Sequence, residues 1–600
     1  MGWLKALSLL VSVFLLSAVS LLTTVSQGHA DWINLSGAET APNIAEIRIL
    51  DDRVNVRLEI FVGELKTFAD IIPDDLLNKP IEGRPGEAER LKRFSEKIFS
   101  VRDANGSFLL AVPKLVEPRM RVDRRSPFAG MINPQTGRPT PQAPADKRVL
   151  FAELDYPFDG QPESLTIVPP RDENGNTIAT IGFIAYHKSV PIIDFRYLSR
   201  ATDLRLDWDD PWYTRFDDPN LKRHHQNPLM SFLYVEPRRI RHEVLMRVRD
   251  LQEWTDLGIA GQQVIPVDRQ DHIGERAIDF IKTRLPLQID GLSAEPVAWR
   301  SAFLNLSING IQIIEEPADL DMSTAVVGIS LTYPIDSLPQ SATVSWDLFN
   351  DRIERVPSTT IDPAGPFLTF VEPDFPKIEW TNFLKKYTYP VAISVSVGRE
   401  LTVTFPLLSV ILIVAAIGAV VLVFRARGVS RRISIFAAVI CIAGAVFCRQ
   451  MALIDIRNPF APLPDETASA RIINAVLDSV HSAYLQVLDE KLDRDLETVV
   501  SLDSFAETKA ELTRAVAIKI AGGGTASVHT VEDLTVQEIS ARENGNGFRA
   551  LAEWTGLASG GHWGHMHRRR IRFRAILEMG ELDGNWKLTG ITVLDAQQEA

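Results

Sequence analysis

The run Val54–Ile60 reads VNVRLEI, with an apolar side chain at every second position. Such alternation is typical of a β-strand that buries one face. The run Val244–Val248, which reads VLMRV, is its counterpart later in the chain. Each run is followed by an acidic residue, a leucine and an aromatic residue, namely Glu64, Leu65 and Phe68 in the first copy and Asp250, Leu251 and Trp254 in the second. The chain therefore contains an internal repeat that starts from this strand.

The two copies continue with matching segments in the same order. These segments are an amphipathic helix, a turn with glycine, a Tyr-Pro-x-Asp motif and an acidic residue before tryptophan. They cover Glu87–Phe99, Asp103–Gly106, Tyr156–Asp159 and Leu206–Trp208 in the first copy, and Glu275–Leu285, Asp290–Gly291, Tyr333–Asp336 and Ile378–Trp380 in the second. The repeat predicts two tandem β-rich, sandwich-like domains over residues 31–216 and 240–400, with a linker at 217–239.

Composition narrows the class of protein. The chain has 600 residues, of which 45% are hydrophobic and 24% charged, and its net charge is −13 at pH 7. These values are typical of a folded multidomain protein and exclude a disordered chain. The acidic balance argues against nucleic acid as a partner, because nucleic-acid binders carry a basic surface. Two cysteines are too few for a disulfide framework or a Cys₄ zinc site.

Three apolar segments predict an exported membrane protein. Residues 1–30 resemble a signal peptide cleaved before Asp31, with an uncleaved anchor as the alternative. Residues 401–424 carry no charge and are long enough to cross a bilayer as a helix. Residues 433–454 predict a second crossing. The loop between them, 425–432, contains arginines and no acidic residue, so it is expected in the cytoplasm.

This topology predicts a transmembrane helical hairpin in the inner membrane of a bacterium, with both soluble portions in the periplasm. The exported portions contain no cysteine, which fits a periplasmic location. If residues 433–454 did not cross the membrane, the C-terminal domain would lie in the cytoplasm instead.

The region around the linker is rich in acidic residues. Five carboxylates lie within twelve residues, namely Asp207, Asp209, Asp210, Asp217 and Asp218. Clustered carboxylate oxygens are the ligands that Ca²⁺ prefers, and exposed aromatic residues between acids can also form a docking surface for a partner. The alternative is a solvated interdomain loop whose tryptophans pack the junction.

The C-terminal domain, residues 465–600, combines helices and strands. Helical periodicity begins near Ile472, and a second helix is predicted over about 505–521. Four strands follow, the last of which is preceded by the turn Gly584-Asn585. This order resembles the cone-shaped α+β superfamily of nuclear-transport-factor-like and polyketide-cyclase-like domains. The resemblance implies a curved antiparallel sheet around a cavity, in a superfamily that contains both enzymes and binding modules.

A histidine-rich turn in this domain is the strongest candidate site. Because side chains alternate along a strand, His565, His567 and Arg569 share one face, at the mouth of the expected cavity. Two histidines at this spacing could chelate zinc or copper, with His562 as a third ligand and Trp563 beside a bound ligand. They could also transfer protons. The alternative is a structural role in the turn, with no cofactor.

The sequence contains no G-x-S-x-G, P-loop or EF-hand motif, and His242-Glu243 lacks the second histidine of a zincin. We therefore expect a membrane-anchored cell-envelope protein whose exported domains bind or scaffold protein partners, without enzymatic activity. One alternative is a metal-handling protein or metalloenzyme that uses His565 and His567. Another is an accessory subunit of a membrane transport complex.

Overall fold

The structure is a computed structural model. It describes residues 36–77, 79, 81–124, 126, 129–133, 137–307, 310–397, 402–425, 429–457, 463–516, 518–519, 525–543 and 546–598. The predicted signal peptide lies outside these residues. The chain divides into two compact units, of which the first contains the described residues up to Tyr387 and the turn Gly561–Met566. The second contains the other described residues from Thr388 onward.

The first unit begins with two β-sheets around one core. Its strands are β1 Asn43–Ile49, β2 Arg53–Phe61, β3 Ser100–Arg102, β4 Phe108–Leu109, β5 Val112–Met120, β6 Arg148–Pro157, β7 Ser164–Val168, β8 Ile181–His187, β9 Val190–Pro191, β10 Arg196–Tyr197, β11 Thr202–Arg205 and β12 Arg215–Phe216. Helix α1 covers Glu87–Arg93 and continues as a wider π-helical turn over Phe94–Ile98. The sheets have the orders β10-β8-β1-β2-β6-β5, with β9 beside β8, and β12-β11-β7-β3-β4.

The rest of the first unit contains further strands and two helices. They are β13 Leu229–Glu236, β14 Arg239–Arg247, α2 Val248–Trp254, β15 Val264–Ile265, α3 Val267–Arg284, β16 Leu287–Ile289, β17 Leu292–Ser293, β18 Ala298–Ser307, β19 Gly310–Ile313, β20 Leu320–Asp321, β21 Val326–Pro334, β22 Ser341–Ser345, β23 Val356–Asp362, β24 Gly365–Val371 and β25 Lys377–Thr381. The larger sheet has the order β19-β18-β21-β14-β13-β23-β24, and a second has the order β17-β16-β22-β25.

The internal repeat is visible in the strand order. The segment β8-β1-β2-β6-β5 matches β23-β13-β14-β21-β18, and in both cases the first pair is parallel. The repeated tyrosines occupy equivalent positions, since Tyr156 lies opposite Val54 and Tyr333 lies opposite Ile240. Both tyrosine rings are buried, which explains why this position recurs in the sequence.

The boundaries of the second copy differ from the expectation. Strand β13 lies within the predicted linker, 217–239, and takes up eight of its residues. The strand was not predicted because its apolar run is continuous and lacks the alternation that marks a half-buried strand. Such a run is typical of a strand buried on both faces, and seven of its eight residues are buried. Helix α3 is also longer than the predicted Glu275–Leu285, since it begins directly after Pro266.

The second unit contains two apolar helices, three further helices and an antiparallel sheet. Its elements are β26 Val395–Ser396, β27 Thr402–Pro406, α4 Leu407–Arg425, α5 Val429–Phe447, β28 Leu453–Arg457, α6 Glu466–Ala483, α7 Asp489–Glu497, α8 Phe505–Val516, β29 Ile518–Lys519, β30 Thr525–Ala541, β31 Gly547–His562, β32 His565–Leu582 and β33 Asn585–Gln598. The sheet has the order β26-β33-β32-β31-β30-β29. Its core includes Ile571, Phe573 and Ala575, which face inward as the alternation predicts.

The apolar helices start and end differently from the predicted spans. Residues 402–406 of the predicted first span form β27, because β-branched residues and Pro406 disfavour helix there. Strand β28 takes up the end of the second span. The helices run antiparallel, with the Ser409 hydroxyl donating to the Ala445 carbonyl oxygen at 2.8 Å. Among the described helices, one, Leu407–Arg425, is long and apolar enough to cross a membrane.

The C-terminal sheet starts earlier in the chain than predicted. Strand β26 lies before the apolar helices, in a segment predicted to belong to the second β-domain, yet it pairs with β33. Val395 lies opposite Trp586, and the Ile393 carbonyl oxygen accepts a hydrogen bond from Ser479 of α6. The sheet of the C-terminal domain therefore combines strands from both sides of the helix pair.

Gly182 in β8 has no space for a side chain. A Cβ atom at this position would lie 1.8 Å from the carbonyl oxygen of Ala38. We expect Gly182→Ala to lower the free energy of unfolding by about 2–3 kcal/mol, because backbone must move. Gly86→Ala is the matched control, since a Cβ there meets nothing within 4 Å. Urea denaturation of both variants tests this, and equal midpoints would contradict it.

Candidate functional site

The acidic region next to β12 is organised by a buried arginine. Arg247, the last residue of β14, donates to both oxygens of Asp210 at 3.1 and 2.9 Å. It also donates to both oxygens of Asp250 in α2, at 2.7 and 2.5 Å. Arg247 is 1% exposed. A guanidinium held by two carboxylates satisfies the geometry that a buried ion pair requires.

The charged side chains in this cluster shift one another's pKa values. Burial alone would lower the pKa of Arg247, but its hydrogen bonds to Asp250 and Asp210 raise it above the ordinary value. Burial would raise the pKa of Asp210, and the hydrogen bonds and charge of Arg247 reverse this, so its pKa is lowered. Asp210 stays ionised, and it also caps a short turn by accepting from the Trp212 backbone nitrogen at 3.1 Å.

The other four predicted carboxylates do not share one site. Asp207 accepts from Arg352 at 2.9 Å, and Asp217 accepts from Arg205 at 2.6 Å. Asp218 pairs with Arg200. Asp209 is exposed. The acids are thus divided among several arginines, an arrangement that fits the packing of a junction, while a calcium site or a docking surface stays a prediction.

The tryptophan of this junction forms one wall of a cavity. Trp212 is buried, and the guanidinium carbon of Arg223 stacks 4.2 Å from its ring centre. Arg223 donates to the carbonyl oxygens of Trp212, Pro191 and His225 at 2.9, 2.6 and 2.8 Å. Burial lowers the pKa of Arg223 to about 10. The hydrogen bonds of this guanidinium are therefore accepted by three backbone carbonyl oxygens and not by a carboxylate.

The cavity itself has a volume of about 480 Å³ and is lined by residues of both copies of the repeat. Asp194 faces it and accepts from the backbone nitrogen of His224 at 2.8 Å. Burial raises the pKa of Asp194. At another point of the wall the Ser189 hydroxyl donates to Asp321 at 2.6 Å, which joins the first copy to the second. No sequence motif marks these residues, which lie far apart along the chain.

Two buried histidines lie near these elements. His187 Nδ1 lies 2.7 Å from the Thr214 hydroxyl and its ring packs edge-on against Trp208, with centroids 4.6 Å apart. His242 Nε2 lies 3.0 Å from the Ser231 hydroxyl. Burial lowers the pKa of each imidazole to about 4, so both are neutral at pH 7.

The histidine-rich turn has an anchoring tryptophan. Both central residues of the turn, Trp563 and Gly564, have positive φ angles of 48° and 85°, as a tight I′ hairpin turn requires. Trp563 is 1% exposed, and its backbone nitrogen donates to Glu243 Oε2 at 2.5 Å. The Gly564 nitrogen donates to the Tyr234 hydroxyl at 2.8 Å. The apolar packing and these two hydrogen bonds offset the strain of a tryptophan with positive φ.

Glu243 is the unexpected acceptor in this arrangement. It is fully buried in β14, and burial raises the pKa of its carboxyl group although Arg241 opposes this. Arg241 donates to its other oxygen at 2.9 Å. The one sequence signal at this position was the incomplete zincin motif at His242-Glu243. Because adjacent residues of a strand face opposite sides, the two side chains lie on different faces of β14.

The structure describes the side chains of only some of the remaining predicted ligands. His562 is buried, Arg569 is half-buried, and the side chains of His565 and His567 lie outside the described residues. Among the described side chains, no three of histidine, cysteine, aspartate or glutamate are placed to hold one metal ion. Zinc or copper at the histidine turn, and proton transfer there, stay predictions.

Comparison with known proteins does not assign this chain to a family. No protein-family model matches the sequence. No curated protein matches it either.

Removal of Asp210 leaves part of the Arg247 charge buried without its partner. We expect Asp210→Ala to lower the free energy of unfolding by about 3 kcal/mol, because breaking a buried ion pair is costly. Asp209→Ala is the control at an exposed neighbour, with a change expected within about 0.5 kcal/mol. Urea denaturation at pH 7 measures both, and similar effects of the two variants would contradict a structural role for the pair.

The buried histidines predict a pH dependence. The ordinary pKa of about 6.5 is lowered to about 4 in the folded chain, so the unfolded chain binds more protons between these values. Each buried, neutral imidazole contributes fully to the free energy of unfolding above pH 6.5. As the pH falls towards 4, this free energy decreases by up to about 3 kcal/mol per histidine.

The comparison of unfolding midpoints between pH 7 and pH 4.5 tests this dependence. Relative to the natural chain, His242→Gln should flatten the decline. The control His272→Gln, at an exposed position of α3, should leave the curve parallel to that of the natural chain. Parallel curves for both variants would show that His242 does not contribute.

Proposed function

We propose that the chain is a membrane-anchored cell-envelope protein whose tandem β-domains bind a protein partner. The observation that carries the proposal is strand β24, the edge of the larger sheet of the second copy. In the described part of the chain its only strand neighbour is β23. The sequence of β24 is GPFLTFV, without a charged residue.

Three apolar side chains of β24 are accessible, and they lie on both faces of the strand. Phe367 and Leu368 are 66% and 59% exposed, and Phe370 is 40% exposed. An exposed apolar edge strand is a site for pairing with another chain, because its backbone groups on one side lack strand partners. A partner that adds a strand there would cover both the backbone and the phenylalanines.

The edge strand β5 of the first copy makes a useful comparison. It contains two prolines and three charged residues, and a bulge interrupts its pairing between Pro113 and Leu115. These are the features by which proteins protect an edge from association. Strand β24 has a single proline, Pro366, near its start. The contrast supports a binding role for β24.

Three features support the membrane anchor. Helix α4 has the length and apolarity of a bilayer span. Strands β27 and β28, at the ends of the helix pair opposite the arginine-rich loop, are paired with each other. Strands β26 and β33, from before and after the helices, belong to one sheet. This arrangement favours two crossings, with residues on either side of the hairpin in the same compartment.

The arginines of the connecting loop support the orientation. Arg425, Arg431 and Arg432 flank residues 426–428, without an acidic residue. Short loops of this composition remain on the cytoplasmic side of bacterial membranes. We therefore assign the loop to the cytoplasm and the soluble domains to the periplasm. For the C-terminal domain, the antiparallel sheet with α6 against β30 supports a cone-like module.

Site-specific photocrosslinking in cells tests the docking edge. A photoreactive phenylalanine analogue replaces Leu368 in β24, and the same analogue replaces Met120 in β5 as a control of equal exposure. We expect one discrete adduct with a second protein from position 368 and none from position 120. The change Phe370→Lys should reduce the adduct at position 368 at least about fivefold, because a buried charge opposes docking.

Two results would contradict the proposal. One is the same yield and pattern of adducts from both positions, which indicates random collision. The other is an adduct of twice the mass of the chain, which assigns the edge to self-association. Loss of the adduct in the Phe370→Lys variant, with an unchanged unfolding midpoint, supports docking at β24.

A further inference from the structure

The cavity between the two copies of the repeat has the size of a small-molecule site. Its volume of about 480 Å³ falls in the range in which proteins hold ligands of a few hundred daltons. Its lining includes Tyr186 and Trp212 from the first copy and Leu304 and Ile314 from the second. Most of the wall is apolar, so a ligand would gain free energy by leaving water.

One charged group in this wall has an unused bonding position. Asp194 Oδ2 accepts from the His224 nitrogen, while Oδ1 receives no hydrogen bond from the described residues. Burial raises the pKa of Asp194, and the nearby arginine charges do not compensate for this effect. A ligand cation beside Oδ1 would restore the interactions that this carboxylate loses by leaving water.

The arginines near Asp194 do not make the site suitable for an anion. Arg223 donates to three backbone carbonyl oxygens and stacks on Trp212. Arg196 donates to the carbonyl oxygens of Asn220 and Phe195 at 3.3 and 2.9 Å. Both cations are already bound by backbone. A second carboxylate, Asp321, also lines the cavity.

We propose that this cavity binds a small organic amine. Its protonated nitrogen pairs with Asp194 Oδ1, and its apolar body packs between Trp212 and Leu304. The site uses residues of both copies, so it exists only in the assembled tandem. It is independent of β24, and the two proposals can fail separately.

Three probes with one apolar body test the charge preference. The full chain is placed in lipid nanodiscs, and binding of 1-adamantylamine, 1-adamantanol and 1-adamantanecarboxylate is measured by titration calorimetry at pH 7.5. We expect the amine to bind the natural chain at least about tenfold more tightly than the alcohol, because it forms a charge-assisted hydrogen bond. The carboxylate should bind most weakly. This comparison requires no variant.

A matched pair of variants assigns the preference to the cavity. Asp194→Asn keeps the shape and the acceptor for His224, and it should weaken amine binding about tenfold while binding of the alcohol is unchanged. Asp209→Asn removes an exposed carboxylate and should change neither. Equal affinities of amine and alcohol for the natural chain, no binding of the amine at millimolar concentration, or an unchanged amine affinity in a folded Asp194→Asn variant would overturn the proposal.

Discussion

The junction between the two copies of the repeat contains one buried cation, Arg247, whose ion pairs connect them. It ends β14, begins the turn into α2 and is held by Asp210 and Asp250. Removing these charges from water is costly, and only the complete set of hydrogen bonds compensates. Because Asp210 lies in the first copy and Asp250 lies in the second, the cluster joins the two copies. Trp212 and Arg223, and with them one wall of the cavity, are positioned by this cluster.

The two candidate binding features use different physical means. Strand β24 offers unpaired backbone and phenylalanine side chains, which suit a partner that supplies a strand. The cavity offers a mostly apolar wall with a half-buried carboxylate, which suits a small cation. The two sites lie on the same tandem without sharing residues.

The sequence predicted elements with local patterns and missed those that depend on long-range contacts. The alternation in Val54–Ile60 and the repeated tyrosines marked equivalent strands correctly. Strand β13 was missed because a strand buried on both faces has no alternation. The junction acids were recognised as a cluster, but their arginine partners, such as Arg352, lie far away in sequence. Asp194 has no local signal, since its position in the cavity wall depends on contacts with distant parts of the chain.

Because β26 pairs with β33, the two apolar helices between them form an insertion in the C-terminal domain. Residues 402–457 follow β26 in the chain, and the strands at the two ends of this segment, β27 and β28, pair with each other. A short hairpin turn in their place would leave the sheet and its core complete. The helix pair is therefore a separable module: its exchange for another hairpin, or its excision, would preserve the sheet formed by β26 and β33.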